Sequence, residues 1–376
     1  MNILIVTGSY APDTGGIAEL VRGFAGGLAA NGVVVHILAA TPGASGFSLP
    51  SLPVSEFDLP KTGYLKRVRA CRKATLGLVT DIQFDRIVAS SWSPYAVDAP
   101  LRAGGRELSL DILCYGMDLL EPRRSPWYRL LMRRTLRRAR LIIAISEFTA
   151  SVARSAGAPD KRVVVMHPGV EPDRFVPGPR NAAILTRYEI APDAPIVLSV
   201  GRLVERKGFD TVLQALPRIL ERYPFAIYLI VGDGPDRMRL ERLASSLGVL
   251  DSIRFAGRVD EKELLGYYQT ADVFVMPCRE VLAGGDVEGF GIVFLEAACC
   301  KVPAVGGNSG GVADAVADGE TGYLVEPHDP EELSAKLVTL LSDTNLRRSL
   351  GHAARERVLR NFQWPQLAQR YLESIR

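Results

Sequence analysis

Five cysteines (Cys71, Cys114, Cys278, Cys299, Cys300) and four histidines are all that this 376-residue chain holds of those residue types. The cysteines form no Cys-x-x-Cys pair and the histidines lie far apart, so neither a disulfide framework nor a zinc site is expected. No two aspartates are separated by a single residue, which removes the Asp-x-Asp clamp that many transferases use for a nucleotide-bound divalent metal. No apolar run approaches the ~18 residues needed to span a bilayer. The first residues, Met1 to Thr7, lack a basic leader and read as a strand rather than a signal peptide, so a cytoplasmic protein is expected. Net charge is only +3, too mild to imply a nucleic-acid partner, and any basic surface must come from local clustering.

What the chain does have is 47% apolar and 23% charged residues, enough for two substantial cores. Ile3 to Thr7, Val33 to Ala39, Asp85 to Ser90, Leu110 to Tyr115, Leu141 to Ile145 and Val163 to Met166 are short apolar runs without alternation, as in parallel strands buried on both faces. Between the first two, Ile17, Leu20, Val21, Phe24 and Leu28 keep helical spacing. Around Pro168 to Pro195 proline and glycine crowd the chain, the signature of a linker. The pattern then restarts at Ile196 to Val200, Ala226 to Val231, Ile253 to Ala256, Val273 to Met276, Val302 to Val305 and Tyr323 to Val325. The expectation is an α/β protein of two Rossmann-like, doubly wound parallel-sheet domains with a cleft between them: residues 1–175, a hinge at 176–194, residues 195–355, and a final helix, 356–376, returning to the first domain.

The stretch from Gly284 to Ala298 runs from a glycine-rich acidic turn into an apolar helix, with Glu288 and Glu296 eight positions apart. At 1.5 Å per helical residue that is roughly 12 Å, comparable with the reach from a sugar across a diphosphate to a ribose. Two carboxylates accept hydrogen bonds from hydroxyls, and Gly289 and Gly291 leave backbone N–H groups at a helix start open to phosphate. A loop followed by a buried helix with an exposed Glu296 accounts for the same letters. Arg202 and Lys207, flanked by Gly201 and Gly208 at a strand end, can converge on a diphosphate, the first as a fork and the second as a point charge. A solvated turn is the alternative there. Gly15 and Gly16 would let backbone approach a ligand from the opposite wall. The turn Gly232-Asp233-Gly234-Pro235 has Arg237 where a third glycine would stand, which argues against NAD. Ser309-Gly310-Gly311 is another tight turn that either approaches the ligand or serves packing.

Together, Gly201-Arg202-Leu203 to Lys207-Gly208, Val231 to Pro235, Phe255 to Val259 and the Glu288–Glu296 pair resemble the family 4 retaining glycosyltransferases of GT-B fold. The resemblance covers nearly the whole chain, including Gly15-Gly16 and Ile145 to Thr149. The segment from Met276-Pro277-Cys278-Arg279 to Gly289 is similar to phosphatidylinositol mannosyltransferases of the PimB type. This resemblance implies that Arg202 and Lys207 bind the donor diphosphate. It places the transferred sugar on Glu288 and the amides around Phe290, Gly291 and Ile292, the ribose on Glu296, and the base against Arg258 and Val259. It implies retention without metal or other cofactor, the leaving phosphate taking the acceptor proton. Loss of either cation would then cost on the order of 10²–10³ in rate. Many members carry His-Gly at a first-domain strand end where this chain has Tyr115-Gly116. A phenol with a pKa near ~10 donates a hydrogen bond but does not titrate like imidazole. Either Tyr115 then replaces the histidine's function, Asp118 contributes, or the activity is altered.

The acceptor side is marked by charge. Pro122 to Arg140 carries eight arginines and no acid, and Lys61 to Lys73 adds six cations, with Tyr64, Leu65, Trp127 and Leu130 interleaved. Basic residues near an anionic leaflet are worth about 1 kcal/mol each, so Lys61–Lys73 and Arg123–Arg140 would dock the protein at the inner face of a membrane; a solvated helix face packed by its leucines is the alternative. The expected function is transfer of an α-hexosyl unit, mannose from GDP-mannose, to a lipid-linked or glycan acceptor, with Glu261 placed to accept from a guanine. The alternatives are glucosyl or N-acetylglucosaminyl transfer from a UDP-sugar to a soluble acceptor, a sugar-nucleotide binder that has lost catalysis, and a phosphorylase or epimerase of the same fold.

Overall fold

A computed structural model of the chain describes residues 1–13, 15–48, 52–96, 102–103, 106–120, 125–281 and 286–376. The chain forms two compact units, Met1–Gly169 with Trp364–Arg376, and Val170–Gln363. In the first, β1 (Asn2–Thr7), α1 (Gly16–Ala30), β2 (Val34–Ala39), β3 (Val54–Glu56), α2 (Tyr64–Asp81) and β4 (Arg86–Ala89) precede a small antiparallel pair, β5 (Arg102–Ala103) and β6 (Arg106–Glu107). Then come β7 (Ser109–Cys114), α3 (Met117–Leu120), α4 (Pro126–Arg138), β8 (Leu141–Ala144), α5 (Glu147–Ser155) and β9 (Val163–Val165). The strands form one parallel sheet in the order β3-β2-β1-β4-β7-β8-β9. Leu4, Val6, Ile37, Val88 and Ile142 are buried, because a sheet covered on both faces needs apolar residues at consecutive positions.

The second unit holds α6 (Ala182–Arg187), β10 (Ile196–Val200), α7 (Phe209–Arg222), β11 (Ile227–Val231), α8 (Arg237–Ser246), β12 (Ile253–Gly257), α9 (Leu264–Thr270) and β13 (Val273–Met276). It continues with α10 (Ile292–Cys299), β14 (Ala304–Gly307), α11 (Val312–Ala315), β15 (Gly322–Val325), α12 (Pro330–Ser342) and α13 (Thr344–Asn361). Its parallel sheet runs β12-β11-β10-β13-β14-β15. In both sheets the strand order reverses beside the unit's first strand, between β1 and β4 and between β10 and β13. That switch point opens a crevice at the strands' carboxyl ends. β14 begins two residues later than its apolar run suggests, since Pro303 has no N–H for a ladder and lends only its carbonyl, to Phe274.

The last helix, α14 (Trp364–Ser374), belongs to the first unit. Trp364 lies over Gly23 and Gly169, where a Cβ would stand 2.0 Å and 2.7 Å from its ring. Further along the helix, Tyr371 donates its hydroxyl at 2.7 Å to Asp111, fully buried in β7, which also accepts from Arg86 at 2.9 and 3.0 Å, while Arg86 reaches the Ile375 carbonyl at 3.1 Å. Burial pushes the Asp111 carboxyl up, and these partners compensate in part. All five cysteines are free and buried. No described helix is long and apolar enough to cross a membrane.

The turn Gly232 to Pro235 shows why glycine is needed there. A Cβ on Gly232 would lie 1.9 Å from the Gly201 carbonyl oxygen, and one on Gly234 would lie 2.3 Å from that of Leu203. The turn is clamped to the loop after β10 by Leu203 N–H to Asp233 O at 3.1 Å and Asp236 N–H to Leu203 O at 3.2 Å. Gly232 also has φ +131, a region side chains rarely adopt. Gly232→Ala is expected to destabilise the protein by about 2–4 kcal/mol, read as a lower midpoint in chemical denaturation, through overpacking and backbone strain together.

Candidate active site

The second unit's switch point carries its charged residues. After β10 the chain turns through Gly201 and exposed Arg202, buries Leu203, makes a single 3-10 turn at Glu205–Lys207, and enters α7 through Gly208 at φ +72. A Cβ on Gly208 would strike the Pro277 carbonyl oxygen at 2.1 Å, so this turn lies directly on the loop after β13. That approach aims Lys207 inward, only 8% exposed, with its Nζ 2.6 Å from Glu288 Oε2. Burial alone would lower the Lys207 pKa, but Glu288 outweighs it and raises it; burial alone would raise Glu288, but Lys207 and then Arg206 hold it below the usual carboxylate range. Both groups are therefore ionised at neutral pH.

Three neighbours fix this pair. Arg206 donates to both oxygens of Asp286 at 2.9 and 3.0 Å, with its Nε 3.8 Å from Glu288 Oε2. Arg279 N–H donates to the Arg206 carbonyl at 2.8 Å, and the buried Arg279 guanidinium reaches Asp210 at 2.8 Å, tying the β13 loop to the start of α7. The turn Ser309 to Gly311 serves packing: Gly311 N–H donates to the Glu288 carbonyl at 2.9 Å, and a Cβ on Gly310 would lie 2.3 Å from that oxygen.

Glu288 leads into α10 through Phe290 and Gly291. Phe290 is buried against Phe362, ring centroids 5.9 Å apart, so only its backbone is available to a ligand. Gly291 caps α10 at φ +94, and a Cβ there would lie 2.7 Å from the Phe294 ring and 3.8 Å from Glu288 Cγ. The first amides of α10, Ile292 among them, lack intrahelical acceptors and favour an anion. Glu296, on the same helix, is half-buried rather than exposed, and Tyr268 donates to its Oε2 at 2.6 Å. Arg258, exposed, and Val259 follow β12, two strands from β10. Glu261 pairs with Arg174 at 2.6 Å.

The structure thus joins Lys207 directly to Glu288 and sets Gly291 beside them. Arg202 is exposed and enters no ion pair among the described residues. Arg206, Asp286 and Tyr268 carry parts that sequence reasoning did not assign. The first two sit beside assigned residues, but nothing in their spacing tells which cation turns inward, and Tyr268 reaches Glu296 only by tertiary packing. Gly284 and Gly285 lie outside the described residues, as do Arg123 and Arg124.

In the first unit, Gly15 and Gly16 open α1 with nothing within 4 Å of a Cβ at either position. Tyr115 and Asp118 follow β7, and Gly116 at φ +101 turns the chain into the short α3. Asp118 Oδ1 accepts from the Tyr115 amide at 3.1 Å, its carbonyl accepts from Trp92 Nε1 at 2.6 Å, and its Oδ2 is buried without a hydrogen-bond partner. Burial, then Asp118, raise the Tyr115 pKa far above that of free tyrosine, so the phenol stays neutral. Burial pushes the Asp118 carboxyl up to about 7 against the pull of backbone N–H groups.

Comparison with known proteins finds relatives along nearly the whole chain. The family model described as Glycosyl transferases group 1 matches residues 182–357, and that described as Glycosyltransferase Family 4 matches residues 14–174. The chain is 34% identical to a GDP-mannose-dependent alpha-(1-6)-phosphatidylinositol monomannoside mannosyltransferase of Mycolicibacterium smegmatis, over 96% of this chain and 95% of that one. A protein of the same name from Mycobacterium tuberculosis is 33% identical, over 100% and 98%. Among solved structures, sucrose-phosphate synthase of Thermosynechococcus elongatus superposes with TM-score 0.82 at 23% identity, covering 99% of this chain and 97% of that one. HepE of Anabaena in complex with UDP and glucose gives 0.81 at 21%, over 100% and 99%. These two share the GT-B fold.

A carboxyl that titrates near 7 when folded and near ~3.9 when unfolded keeps a proton that the unfolded chain has lost between those values, so it lowers stability as pH rises through that window. Asp118→Asn is ionised in neither state. Its stability relative to the parent, measured by urea denaturation, is expected to be higher at about pH 8 than at about pH 5.

Proposed function

The chain belongs to the family 4 glycosyltransferases, and on that premise we propose that it moves mannose from GDP-mannose to a lipid-linked or glycan acceptor. The observation that carries this reading is the buried Lys207–Glu288 pair at a sheet switch point, beside the start of α10. An incoming diphosphate would draw Lys207 Nζ and the exposed Arg202 guanidinium, with the α10 amides completing its cradle. Glu288, released from its lysine, would accept from hydroxyls of the transferred sugar. Glu296, steadied by Tyr268, would take the ribose, and Arg258 and Val259 would lie against the base. Gly15 and Gly16 would offer backbone amides to an anionic ligand. The curated relatives at 33–34% identity are named for GDP-mannose and a phosphatidylinositol-based acceptor, which supports this choice of donor and acceptor.

The reaction we assign is retaining and needs neither metal nor cofactor. The bond from the anomeric carbon to the leaving phosphate oxygen breaks, the acceptor oxygen bonds to the same face, and the acceptor proton passes to the departing phosphate. Arg202 and Lys207 would stabilise the charge that develops there. Neutral Tyr115 would donate a hydrogen bond and leave proton transfer to the phosphate.

Supporting a place at an anionic membrane face, α2 and α4 meet through Tyr64 and Tyr128, rings edge to face at 5.2 Å, so the two basic stretches are contiguous. Leu65, Trp127 and Leu130 are 63%, 64% and 59% exposed among Lys66, Arg69, Arg129, Arg133, Arg134 and Arg137. Cations ringed by exposed apolar side chains suit a charged interface.

In a thermal-shift panel GDP-mannose is expected to raise Tm more than UDP-glucose or UDP-N-acetylglucosamine, since bound ligand stabilises by mass action. A larger shift with a UDP-sugar would overturn the donor assignment. By calorimetry Glu296→Ala should weaken GDP binding, whereas Glu288→Ala should mainly lower turnover; unchanged affinity in the Glu296 variant would remove its ribose role. The protein should sediment with liposomes containing anionic lipid and not with neutral ones, and equal binding to both would refute the docking surface.

A further inference from the structure

Arg206 stands between two acids of the loop after β13, Asp286 and Glu288. Its main chain is pinned, since its carbonyl accepts from the Arg279 N–H at 2.8 Å and the Arg279 guanidinium is held by Asp210 at 2.8 Å. Its side chain is 25% exposed, and a single guanidinium nitrogen, Nη1, makes both bonds to Asp286, at 2.9 and 3.0 Å. Its Nε is buried and has no hydrogen-bond partner among the described residues. That atom faces Glu288 Oε2 at 3.8 Å, about 1 Å beyond a charge-assisted hydrogen bond.

A clamp on Asp286 alone does not need this second donor, and the point charge of a lysine would serve. The donor has a use once a ligand arrives. Lys207 Nζ, now 2.6 Å from Glu288, is the cation that an incoming diphosphate draws away. Glu288 is then a buried carboxylate without its nearest counter-charge, and burial favours the neutral form, which has lost part of its capacity to accept from hydroxyls. Few charged groups face it from the elements packed around it. The turn after β10 brings Lys207 and Arg206. The loop after β13 brings Asp286, engaged by Arg206, and Cys278, whose thiol is pushed up to about 12 by burial and stays neutral. The turn before α11 offers backbone only, the Gly311 N–H at 2.9 Å from the Glu288 carbonyl, and α10 presents Gly291. Among the described residues Arg206 is the cation left for Glu288.

We propose that Arg206 is a positioning residue that takes Glu288 over from Lys207 when the sugar nucleotide binds, closing its Nε–H onto Oε2 while Asp286 keeps hold of Nη1. The inference rests on the glycosyl-transfer reading for the event that removes Lys207. The exchange keeps Glu288 ionised and aimed at the sugar hydroxyls, and it frees the lysine's charge for the leaving phosphate. Both acids keep a cation throughout.

The test is proton uptake on binding, read by calorimetry of the full chain with GDP-mannose at about pH 6 in two buffers of different ionisation enthalpy. In the parent Glu288 has a cation before and after binding, so no proton enters and the binding enthalpy is the same in both buffers. In Arg206→Gln it has Lys207 before binding and no cation after, so about half a proton or more is expected to enter with the ligand. Cys278 is already protonated, and Asp286 lacks Arg206 in both states, so neither accounts for the uptake. Affinity should fall by no more than about tenfold, the cost of protonating one carboxyl raised about one pH unit above the buffer. Asp286→Asn breaks the same clamp but keeps the Arg206 charge, and should bind without uptake; a purely structural Arg206 would make the two variants alike. Should Arg206→Gln fail to fold, Arg206→Lys carries the test with a smaller uptake, its single ammonium being shared between Asp286 and Glu288. Equal enthalpies in the two buffers for the folded Arg206 variant, the same uptake in Asp286→Asn or in the parent, or loss of all binding from the folded Arg206 variant would overturn the proposal. GDP-mannose failing to bind the parent refutes the donor reading and the exchange with it, whereas binding to parent and variant without uptake refutes the exchange alone.

Discussion

The buried ion pair between Lys207 and Glu288 sets the terms for the second unit. A lysine and a glutamate taken out of water lose several kcal/mol of solvation each, and the pair persists because the two meet at 2.6 Å with Arg206 close by. Breaking such a pair by removing one partner costs about 3–5 kcal/mol. Nearby loops are arranged to keep it. Gly208 lets the loop after β10 touch the backbone of the loop after β13, Gly310 and Gly311 hold the Glu288 carbonyl, and Asp286 occupies the Arg206 guanidinium. A site built this way is charged but internally neutralised until a more highly charged ligand arrives.

The glycine turns of this unit divide in function. Gly232, Gly234, Gly208 and Gly310 allow one backbone to lie against another, each blocking a Cβ with a carbonyl oxygen within 2.3 Å. None of them needs to touch a ligand to be required. Gly291 differs, for it stands at the head of α10 against Glu288, where an absent side chain leaves amides open. The same letter thus carries two physical roles in one domain, separable only by what lies opposite.

The first unit solves a different problem. Its C-terminal helix is secured by a buried Asp111 with two partners, a cluster fully engaged in structure. Asp118, a few residues on, is buried with one oxygen unpaired, and Tyr115 beside it is held neutral. A buried acid kept near the point of protonation is costly in isolation.

Much of this was written in the chain. Short apolar runs without alternation determine parallel strands, because a strand covered on both faces has no polar side, and every long run in the sequence became a strand within two residues of its place. Three-residue β3 and the two-residue pair β5 and β6 carried too little pattern to be seen. The motif around Arg202, Lys207, Glu288 and Glu296 marked a family whose members share a fold, and the comparisons bear out both. What the sequence did not determine was which charged neighbour turns inward. Arg206 and Lys207 are adjacent cations, and only the 3-10 turn on the β13 loop buries Lys207 against Glu288 while Arg206 is taken by Asp286. Nor could spacing show that Tyr268 would reach Glu296. Periodicity is local and survives in one dimension; the pairing of charges depends on distances that exist only once the sheets have folded.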